Sequence, residues 1–314
     1  MHPLAATALA KTRDLDTEAI LERLGTPLVI LSAPRSGSTL LFEQLRGCSN
    51  AASIGGESHG VFNVVPGLAV GSGVDGSGRL DERHATPRTV DLLRRMFVML
   101  LRDSKGRPRA LDAEGLNLVE KTPRNVLNLP FISKLFPGCR FLVLYRRPEA
   151  TIASLVEAWQ AGLETGRFVT ARGLPGWDRA AWCFALPRGW QAMAGHTLVE
   201  IAAFQWAACY RQLLDDLAAI PRERIQGVRY EALVADPGAV IGKAARFGEL
   251  GAPERQPKRE GLPLSATTLS PPAPDKWRRL EDELALVQDT YAPVAAQVEG
   301  LFGEAGVSLP SDRA

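Results

Sequence analysis

Short apolar runs alternate with longer segments of helical periodicity along this chain. The run Leu28–Leu31 is aliphatic enough for a strand buried on both faces, and 117–120, Arg140–Tyr145 and Ile225–Arg229 are further strand-like runs. Apolar residues recur at helical spacing in the segments 13–24, 39–46, 87–103, 125–136, 196–220 and 277–298, and residues 304–314 are predicted to fray. This alternation predicts one α/β domain over residues 1–314, with a central parallel sheet flanked by helices.

Composition places the chain among ordinary folded proteins. Its 314 residues are 46% hydrophobic and 23% charged, and the formal net charge of +2 creates no bulk field toward nucleic acid or a membrane surface. The opening apolar stretch is too short for a signal peptide, and no apolar run reaches the length of a membrane span. Four scattered cysteines without a C-x-x-C pair argue against zinc or a disulfide framework. We therefore expect a cytoplasmic protein without a metal site.

The turn after the first strand carries a candidate anion site. In the sequence SAPRSGST, Gly37, Ser38 and Thr39 occupy the positions of the Gly, Lys and Ser/Thr that end a P-loop. Serine replaces both the first glycine and the lysine of that motif. The loop therefore keeps backbone N–H groups directed at an anion but lacks the cation that grips a triphosphate. In its place the turn offers the side chains of Arg35, Ser36, Ser38 and Thr39.

Three segments together resemble the PAPS-dependent sulfotransferases, where PAPS is 3′-phosphoadenosine 5′-phosphosulfate. PRSGSTLL at 34–41, LVEKTPRN at 118–125 and RFLVLYRRPEATIASL at 140–155 resemble the family's 5′-phosphosulfate loop, lysine segment and 3′-phosphate segment, in the same order. The chain is more similar to the tyrosylprotein and bacterial type than to the cytosolic small-molecule type. The resemblance implies a three-layer, P-loop-NTPase-like fold and in-line transfer of a sulfuryl group from PAPS to a hydroxyl, with no metal required.

The resemblance also implies roles for individual residues. The 5′-phosphosulfate would be held by Arg35, Ser36, Gly37, Ser38 and Thr39. Lys121, together with Arg35, would neutralise the negative charge that grows on the leaving oxygen.

The other end of the nucleotide is expected after the later strands. Arg146 and Ser154 are eight residues apart, the family's interval for the pair that holds the 3′-phosphate. Arg147 stands where most relatives have Asp, and its role is left open between the phosphate site and solvent. Tyr230, in a segment YEALVADP that resembles a family motif, is expected on the adenosine side. Ser270, Lys276 and Trp277 are candidates for the segment that folds over the nucleotide.

The base that removes the acceptor proton has two candidates. GGESH presents Glu57 where an acidic residue serves as base in tyrosylprotein sulfotransferases, and His59 follows two residues later. The alternative is that both residues only cap the following turn.

Two further segments are candidates for the acceptor side. Residues 66–87 are Gly-rich and polar, which is typical of either an acceptor-gating loop or a flexible insertion. Residues 157–196 are rich in aromatic side chains that either line an apolar acceptor pocket or hold an insertion to the core; they are Trp159, Phe168, Trp177, Trp182, Phe184 and Trp190.

Two other classes of function share the predicted architecture. A P-loop kinase-like phosphotransferase is disfavoured because the loop lysine and a metal-binding Asp at a strand end are missing. A non-catalytic nucleotide-binding protein would need neither Lys121 nor a base, and both are present. The expected acceptor is a small-molecule or carrier-bound hydroxyl that no residue identifies. A homodimer is compatible with the sequence, and nucleic acid is not an expected partner.

Overall fold

A five-stranded parallel sheet lies at the centre of the part of the chain that the structure describes. The computed structural model describes residues 2–73, 75–109, 115–255, 262–265, 267–271 and 273–304. The strands are β1 (Leu28–Leu31), β2 (Ala51–Ala52), β3 (Asn117–Lys121), β4 (Arg140–Tyr145), β5 (Val169–Ala171), β6 (Trp182–Cys183) and β7 (Ile225–Arg229). The central sheet has the order β2-β3-β1-β4-β7 with every pair parallel, and β5 and β6 form a separate antiparallel pair.

Helices cover both faces of the sheet. They are α1 (Pro3–Lys11), α2 (Thr17–Leu24), α3 (Ser38–Leu45), α4 (His59–Phe62), α5 (Pro87–Leu100), α6 (Leu129–Leu135), α7 (Pro148–Thr165), α8 (Leu198–Leu217), α9 (Tyr230–Ala235), α10 (Pro237–Phe247), α11 (Glu281–Leu286) and α12 (Gln288–Glu304). Short 3₁₀ helices span Glu82–His84, Pro123–Leu127, Trp190–Met193, Arg222–Arg224 and Lys276–Leu280. None of the helices in the described ranges has the length and apolar character needed to cross a membrane.

Two hydrophobic cores lie on opposite faces of the sheet. Successive side chains of a strand point to opposite faces, and on β3 Leu118 joins the larger core while Val119 joins the smaller one. The larger core contains apolar residues of α5, α6, α7, α8 and α12, and the smaller one contains residues of α3 and α10. Burial on both faces explains why β1 is apolar at every position. The three layers confirm the predicted α/β fold.

Four of the strands were predicted from the sequence, the short strands β2, β5 and β6 were missed, and several helix boundaries were wrong. Strands β1, β4 and β7 have the predicted limits, and β3 extends one residue further to Lys121. The helix predicted over 125–136 divides at Asn128, because Pro130 lacks an N–H and is accommodated only in the first turn of α6. The helix predicted over 277–298 is a 3₁₀ turn followed by α11 and α12.

The two ends of the chain differ from the prediction in other ways. The periodicity did not reveal α1, because its buried face consists only of the small residues Ala5 and Ala8. Helix α2 begins later than predicted because Asp16 caps it, accepting a hydrogen bond from Ala19 N at 2.9 Å. Of the segment predicted to fray, residues 305–314 lie outside the described residues.

The Gly-rich segment 66–87 is attached to the core at its centre. Arg79 forms a bidentate ion pair with Asp216 of α8, with both N–O distances 2.8 Å, and also donates to the carbonyl of Leu127. The backbone N–H of Leu80 donates to Asn128 Oδ1 at 2.8 Å. These buried polar contacts fasten this half of the segment beside the cleft described below.

Candidate active site

A cleft of about 820 Å³ opens at the carboxyl ends of the parallel strands. This is the edge at which open α/β sheets bind ligands. The residues named from the sequence that line it are Arg35, Gly37, Ser38, Thr39, Glu57, His59, Arg146, Ser154, Tyr230, Ser270, Lys276 and Trp277. Of the two other named residues, Ser36 is fully buried, and Lys121 is only 3% exposed but contacts the cleft wall. The fold thus brings together segments more than 200 residues apart in sequence.

The turn between β1 and α3 has the backbone shape of an anion site. Gly37 has φ 95° and forms the N-cap of α3 without a side-chain hydrogen bond to the helix end. A Cβ atom on Gly37 would lie 2.4 Å from Tyr230 Cδ2, so both the dihedral angle and the space require glycine. Arg35 also has a positive φ of 68°. The first residues of α3 line the cleft, and the N–H groups of a first helical turn have no acceptor within the helix.

The Arg35 guanidinium connects three parts of the cleft. Its Nε donates to Ser154 Oγ at 3.3 Å, its Nη1 donates to the carbonyl of Thr267 at 2.8 Å, and its Cζ lies 5.6 Å from the centre of the Phe168 ring. Burial, with the nearby charge of Arg146, lowers the pKa of Arg35 to about 10. The group is therefore cationic at neutral pH.

A second cationic corner forms between β4 and β7. Arg146, directly after β4, places its Cζ 4.6 Å from the centre of the Tyr230 ring and donates from Nη1 to the carbonyl of Arg35 at 3.2 Å. Ser154 of α7 also lines the cleft, where its hydroxyl accepts from Arg35 Nε. The backbone N–H of Arg147 donates to Glu231 Oε1 at 3.1 Å, so Glu231 holds the start of α7 against α9. The Arg147 side chain lines the cleft.

The candidate catalytic groups form one continuous chain of contacts. Lys121 Nζ donates to Thr39 Oγ1 at 3.1 Å and to Glu57 Oε1 at 2.6 Å. The other carboxylate oxygen, Glu57 Oε2, lies 3.4 Å from His59 Nδ1. Lys121 is buried whereas His59 is exposed, so this series of side-chain contacts runs from the interior to the open end of the cleft.

The charge state of Glu57 follows from these contacts. Burial raises the pKa of Glu57, but the hydrogen bond with His59 and the charge of Lys121 outweigh it and lower the pKa to about 2. In this arrangement the carboxylate is ionised at neutral pH and is a weak base.

A buried carboxyl group that was not predicted from the sequence lies next to the contacts of Lys121 and Glu57. Glu120 is 2% exposed, and it accepts hydrogen bonds from Ser58 Oγ and Thr122 Oγ1, both at 2.7 Å, and from Asn125 Nδ2 at 3.2 Å. Burial raises the pKa of Glu120 in spite of these bonds. The one signal in the sequence was an acidic residue that directly follows the apolar pair Leu118 and Val119 and directly precedes Lys121.

The segment before α11 is held to α7 at the cleft wall by a second acid that was not predicted. Glu157 of α7 accepts from Ser270 Oγ at 2.6 Å and from Lys276 Nζ at 2.9 Å, and Ser270 and Lys276 also contact each other. Trp277 lies on the cleft wall beside them. The three residues named for the nucleotide-covering segment are therefore together, and Glu157 holds two of them.

The aromatic residues of 157–196 separate into two groups. Trp159, Trp182 and Trp190 are buried, and they pack with Trp177 through ring contacts with centroids 4.8 to 6.3 Å apart. Phe168 and Phe184 stack with centroids 5.0 Å apart and line the cleft instead. The tryptophans thus belong to the core, whereas the two phenylalanines face the ligand space.

The end of the cleft near His59 carries further polar groups that were not predicted. Asn63 and Arg124 line this end of the cleft. They also line a small neighbouring pocket whose other walls are both polar and apolar. Within the described part of the chain, no group of three or more His, Cys, Asp or Glu residues is placed to hold a metal ion.

Solved structures with a similar overall course of the chain are sulfotransferases of low sequence identity. A sulfotransferase from Alicyclobacillus acidocaldarius has 15% identity and a TM-score of 0.49, covering 91% of this chain and 97% of its own. The sulfotransferase domain from the curacin biosynthetic pathway has 19% identity and a TM-score of 0.45, covering 83% and 98%. Sulfotransferase STF1 from Mycobacterium tuberculosis H37Rv has 14% identity and a TM-score of 0.48, covering 92% and 81%.

Sequence comparison is more decisive than these structural similarities. A search of the curated proteins found no significant match. The model of the sulfotransferase family, in contrast, matches residues 27–254, which extend from just before β1 to beyond β7 and include the anion turn, Glu57, Lys121 and Arg146. Since this match spans well over half of the chain, the protein belongs to the sulfotransferase family and is an enzyme of that family.

Proposed function

We propose that the enzyme transfers the sulfuryl group of PAPS to a hydroxyl acceptor by in-line displacement. The observation that carries this proposal is the position of Lys121 Nζ, which contacts both Thr39 of the anion turn and Glu57. A cation between a phosphosulfate site and a candidate base is the arrangement that sulfuryl transfer requires. Negative charge grows on the oxygen that leaves with the nucleotide, while the acceptor oxygen loses its proton.

The nucleotide would occupy the cleft from the anion turn toward Tyr230. The N–H groups at the start of α3, with Arg35, would bind the 5′-phosphosulfate. Arg146 and Ser154 would bind the 3′-phosphate, and the Tyr230 ring would contact the adenosine. Ser270, Lys276 and Trp277 would close over the bound nucleotide.

The chemical step uses the same residues. The acceptor oxygen attacks sulfur as its proton passes to Glu57 or His59, the bond from sulfur to the bridging oxygen breaks, and the electron pair stays on the nucleotide phosphate. Lys121 and Arg35 neutralise that oxygen. When Lys121 turns toward the leaving oxygen, Glu57 keeps its contact with His59 but loses the charge of Lys121, and it becomes a stronger base. The pairing therefore keeps Glu57 weakly basic until PAPS is bound.

The acceptor is proposed to approach from the side of His59, Asn63 and Arg124, with Phe168 and Phe184 as an apolar surface. The segment 66–87, attached through Arg79, stands beside this entrance and is proposed to gate it. The polar and apolar groups at this entrance fit a small-molecule or carrier-bound hydroxyl as the acceptor. A cytoplasmic location remains part of the proposal, and it is supported by four cysteines that are all buried and free.

A ligand panel tests the proposed function against a phosphotransferase. Thermal unfolding would be followed with PAPS, with its desulfated product 3′-phosphoadenosine 5′-phosphate (PAP), and with ATP plus Mg²⁺. A ligand that binds only the native state raises the unfolding temperature by mass action. We expect PAPS and PAP to raise it and ATP with Mg²⁺ not to. A response to ATP with Mg²⁺ alone would favour the kinase-like alternative.

A further inference from the structure

Glu120 and Lys121 are neighbours on β3, and their side chains leave the strand on opposite faces. Lys121 points to the side of Val119 and α3, where its Nζ lies 5.7 Å from the centre of the Phe42 ring. Glu120 points to the side of Leu118 and the larger core. The end of this strand therefore presents an ammonium on one face and a buried carboxyl group on the other.

The segment that carries the candidate base is fastened on both of these faces. Glu57 reaches Lys121 at 2.6 Å, and the next residue, Ser58, donates from its hydroxyl to Glu120 Oε1 at 2.7 Å. The backbone N–H of Ser58 also donates to Thr122 Oγ1 at 2.7 Å. Two consecutive residues of one segment are thus held by two consecutive residues of β3.

The hydrogen-bond geometry leaves this cluster little freedom. The Thr122 hydroxyl donates to Glu120 and accepts from Ser58 N, so its orientation is determined from both sides. The Ser58 hydroxyl is buried and donates to the same carboxylate oxygen. Because every donor is neutral, the desolvation of the carboxyl group offsets much of the stability that the bonds provide. The main effect of the cluster is therefore on geometry. It determines the position of Ser58 and, with it, the position of Glu57.

We propose that Glu120 is a positioning residue for sulfuryl transfer, because by holding Ser58 and Thr122 it sets the place of Glu57 relative to Lys121. The inference rests on the proposed function of Glu57 and Lys121. Glu120 contacts neither the nucleotide space nor the acceptor space, since it does not line the cleft. It acts through Ser58.

Glu120→Gln tests the proposal with little change in volume. In the carboxylate, Oε1 accepts from both Ser58 and Thr122, and Oε2 accepts from Asn125. Because the amide accepts only on its oxygen, its NH₂ group must face either Asn125 or the two hydroxyls, and donors that face each other force the cluster to shift. We expect PAP affinity, measured by titration calorimetry, to be unchanged. Turnover of PAPS to PAP with 4-nitrophenol as the acceptor probe should fall by about 10²-fold, the loss that a displacement near 1 Å can cause. Normal turnover in Glu120→Gln would overturn the proposal.

Ser58→Ala and the double variant give a sharper test. If Glu120 acts through Ser58, Ser58→Ala should lower turnover to a similar degree, and the double variant should fall no further. Effects that multiply in the double variant would show two independent roles and reject the proposal. Should Glu120→Gln fail to fold, Ser58→Ala decides the question, because it leaves the carboxyl group in place.

A control variant and a spectroscopic signal separate positioning from general stability. Asp91→Asn makes the same acid-to-amide change on α5, where Asp91 pairs with Arg95 away from the cleft, and its turnover should be normal. The His59 ring resonance, assigned with His59→Gln, should shift in Glu120→Gln and stay in place in Asp91→Asn. If the wild-type protein binds no PAP and does not turn over PAPS, the proposed function is wrong. In that case the His59 resonance alone shows whether Glu120 sets the position of Glu57.

Discussion

Lys121 Nζ and Glu57 Oε1 lie 2.6 Å apart, so the proposed electrophilic group and the proposed base form an ion pair. The pair spans 64 residues of sequence and joins β3 to the segment before α4. An ammonium that is 3% exposed needs a negative partner, because an unpaired buried charge is costly. Binding of the phosphosulfate would supply a second anion, so the Lys121 ammonium would interact with both Glu57 and the phosphosulfate.

Lys121→Ala separates catalysis from binding. If the ammonium interacts mainly with charge that develops in the transition state, the variant should keep most of its PAP affinity while turnover falls by roughly 10²- to 10³-fold. Lys121→Arg should also be impaired, because a planar guanidinium does not replace a compact ammonium at one oxygen. Calorimetry with PAP and single-turnover kinetics at saturating PAPS measure the two effects. A near-normal single-turnover rate in Lys121→Ala would leave Arg35 as the principal cation.

The low pKa of Glu57 predicts how stability depends on pH. A folded-state pKa of about 2, below the ordinary value of about 4.3, means that the ionised form stabilises the fold. This contribution is complete above the ordinary pKa and is lost as the pH falls toward 2. Glu57→Gln removes it. The difference in unfolding free energy between wild type and Glu57→Gln should therefore shrink from about pH 5 to about pH 2.

Denaturant unfolding at several pH values measures this difference, and Glu164→Gln, at an exposed position of α7, is the matched control. A difference between wild type and Glu57→Gln that stays constant over this range would contradict the lowered pKa of Glu57 and the contacts with His59 and Lys121 that cause it.

Arg146→Ala and Ser154→Ala should weaken nucleotide binding more than they slow the chemical step. A contact with the 3′-phosphate is made equally in the ground state and the transition state, so its loss raises the dissociation constant and leaves the saturated rate largely unchanged. A charge-assisted hydrogen bond of about 1.5 to 3 kcal/mol corresponds to a roughly 10- to 150-fold loss of PAP affinity for Arg146→Ala. Titration calorimetry checks it, with Arg88→Ala, exposed on α5, as control. Wild-type affinity in Arg146→Ala would remove this residue from the phosphate site.

Gly37→Ala should destabilise the fold and abolish nucleotide binding. A non-glycine residue in the left-handed region costs about 1 to 2 kcal/mol, and the added methyl group would also collide with the Tyr230 ring. Gly300→Ala is the control, because Gly300 lies in α12 with open space around it. Thermal unfolding with and without PAP measures both effects. A Gly37→Ala protein that still binds PAP normally would show that the turn does not need its present shape.

The sequence alone determined four of the strands and the order of the proposed ligand-binding segments. Short apolar runs that are buried on both faces leave a clear local pattern, so β1, β4 and β7 were predicted with their correct limits. Each predicted strand end carries its polar residues in the next few positions, as in the anion turn, Lys121 and Arg146. Since parallel strands end at one edge, their meeting in a single cleft also followed from the sequence.

Only the tertiary structure decided which of these side chains contact each other. The Lys121–Glu57 pair, the bonds of Glu120 to Ser58 and the hold of Glu157 on Ser270 and Lys276 join segments 62 to 119 residues apart. Such contacts depend on how loops cross the sheet edge and on the strand register, and neither leaves a periodic trace in the sequence. The same holds for the aromatic residues of 157–196, because a buried tryptophan and a phenylalanine at a cleft wall are equally apolar. Packing alone separates them.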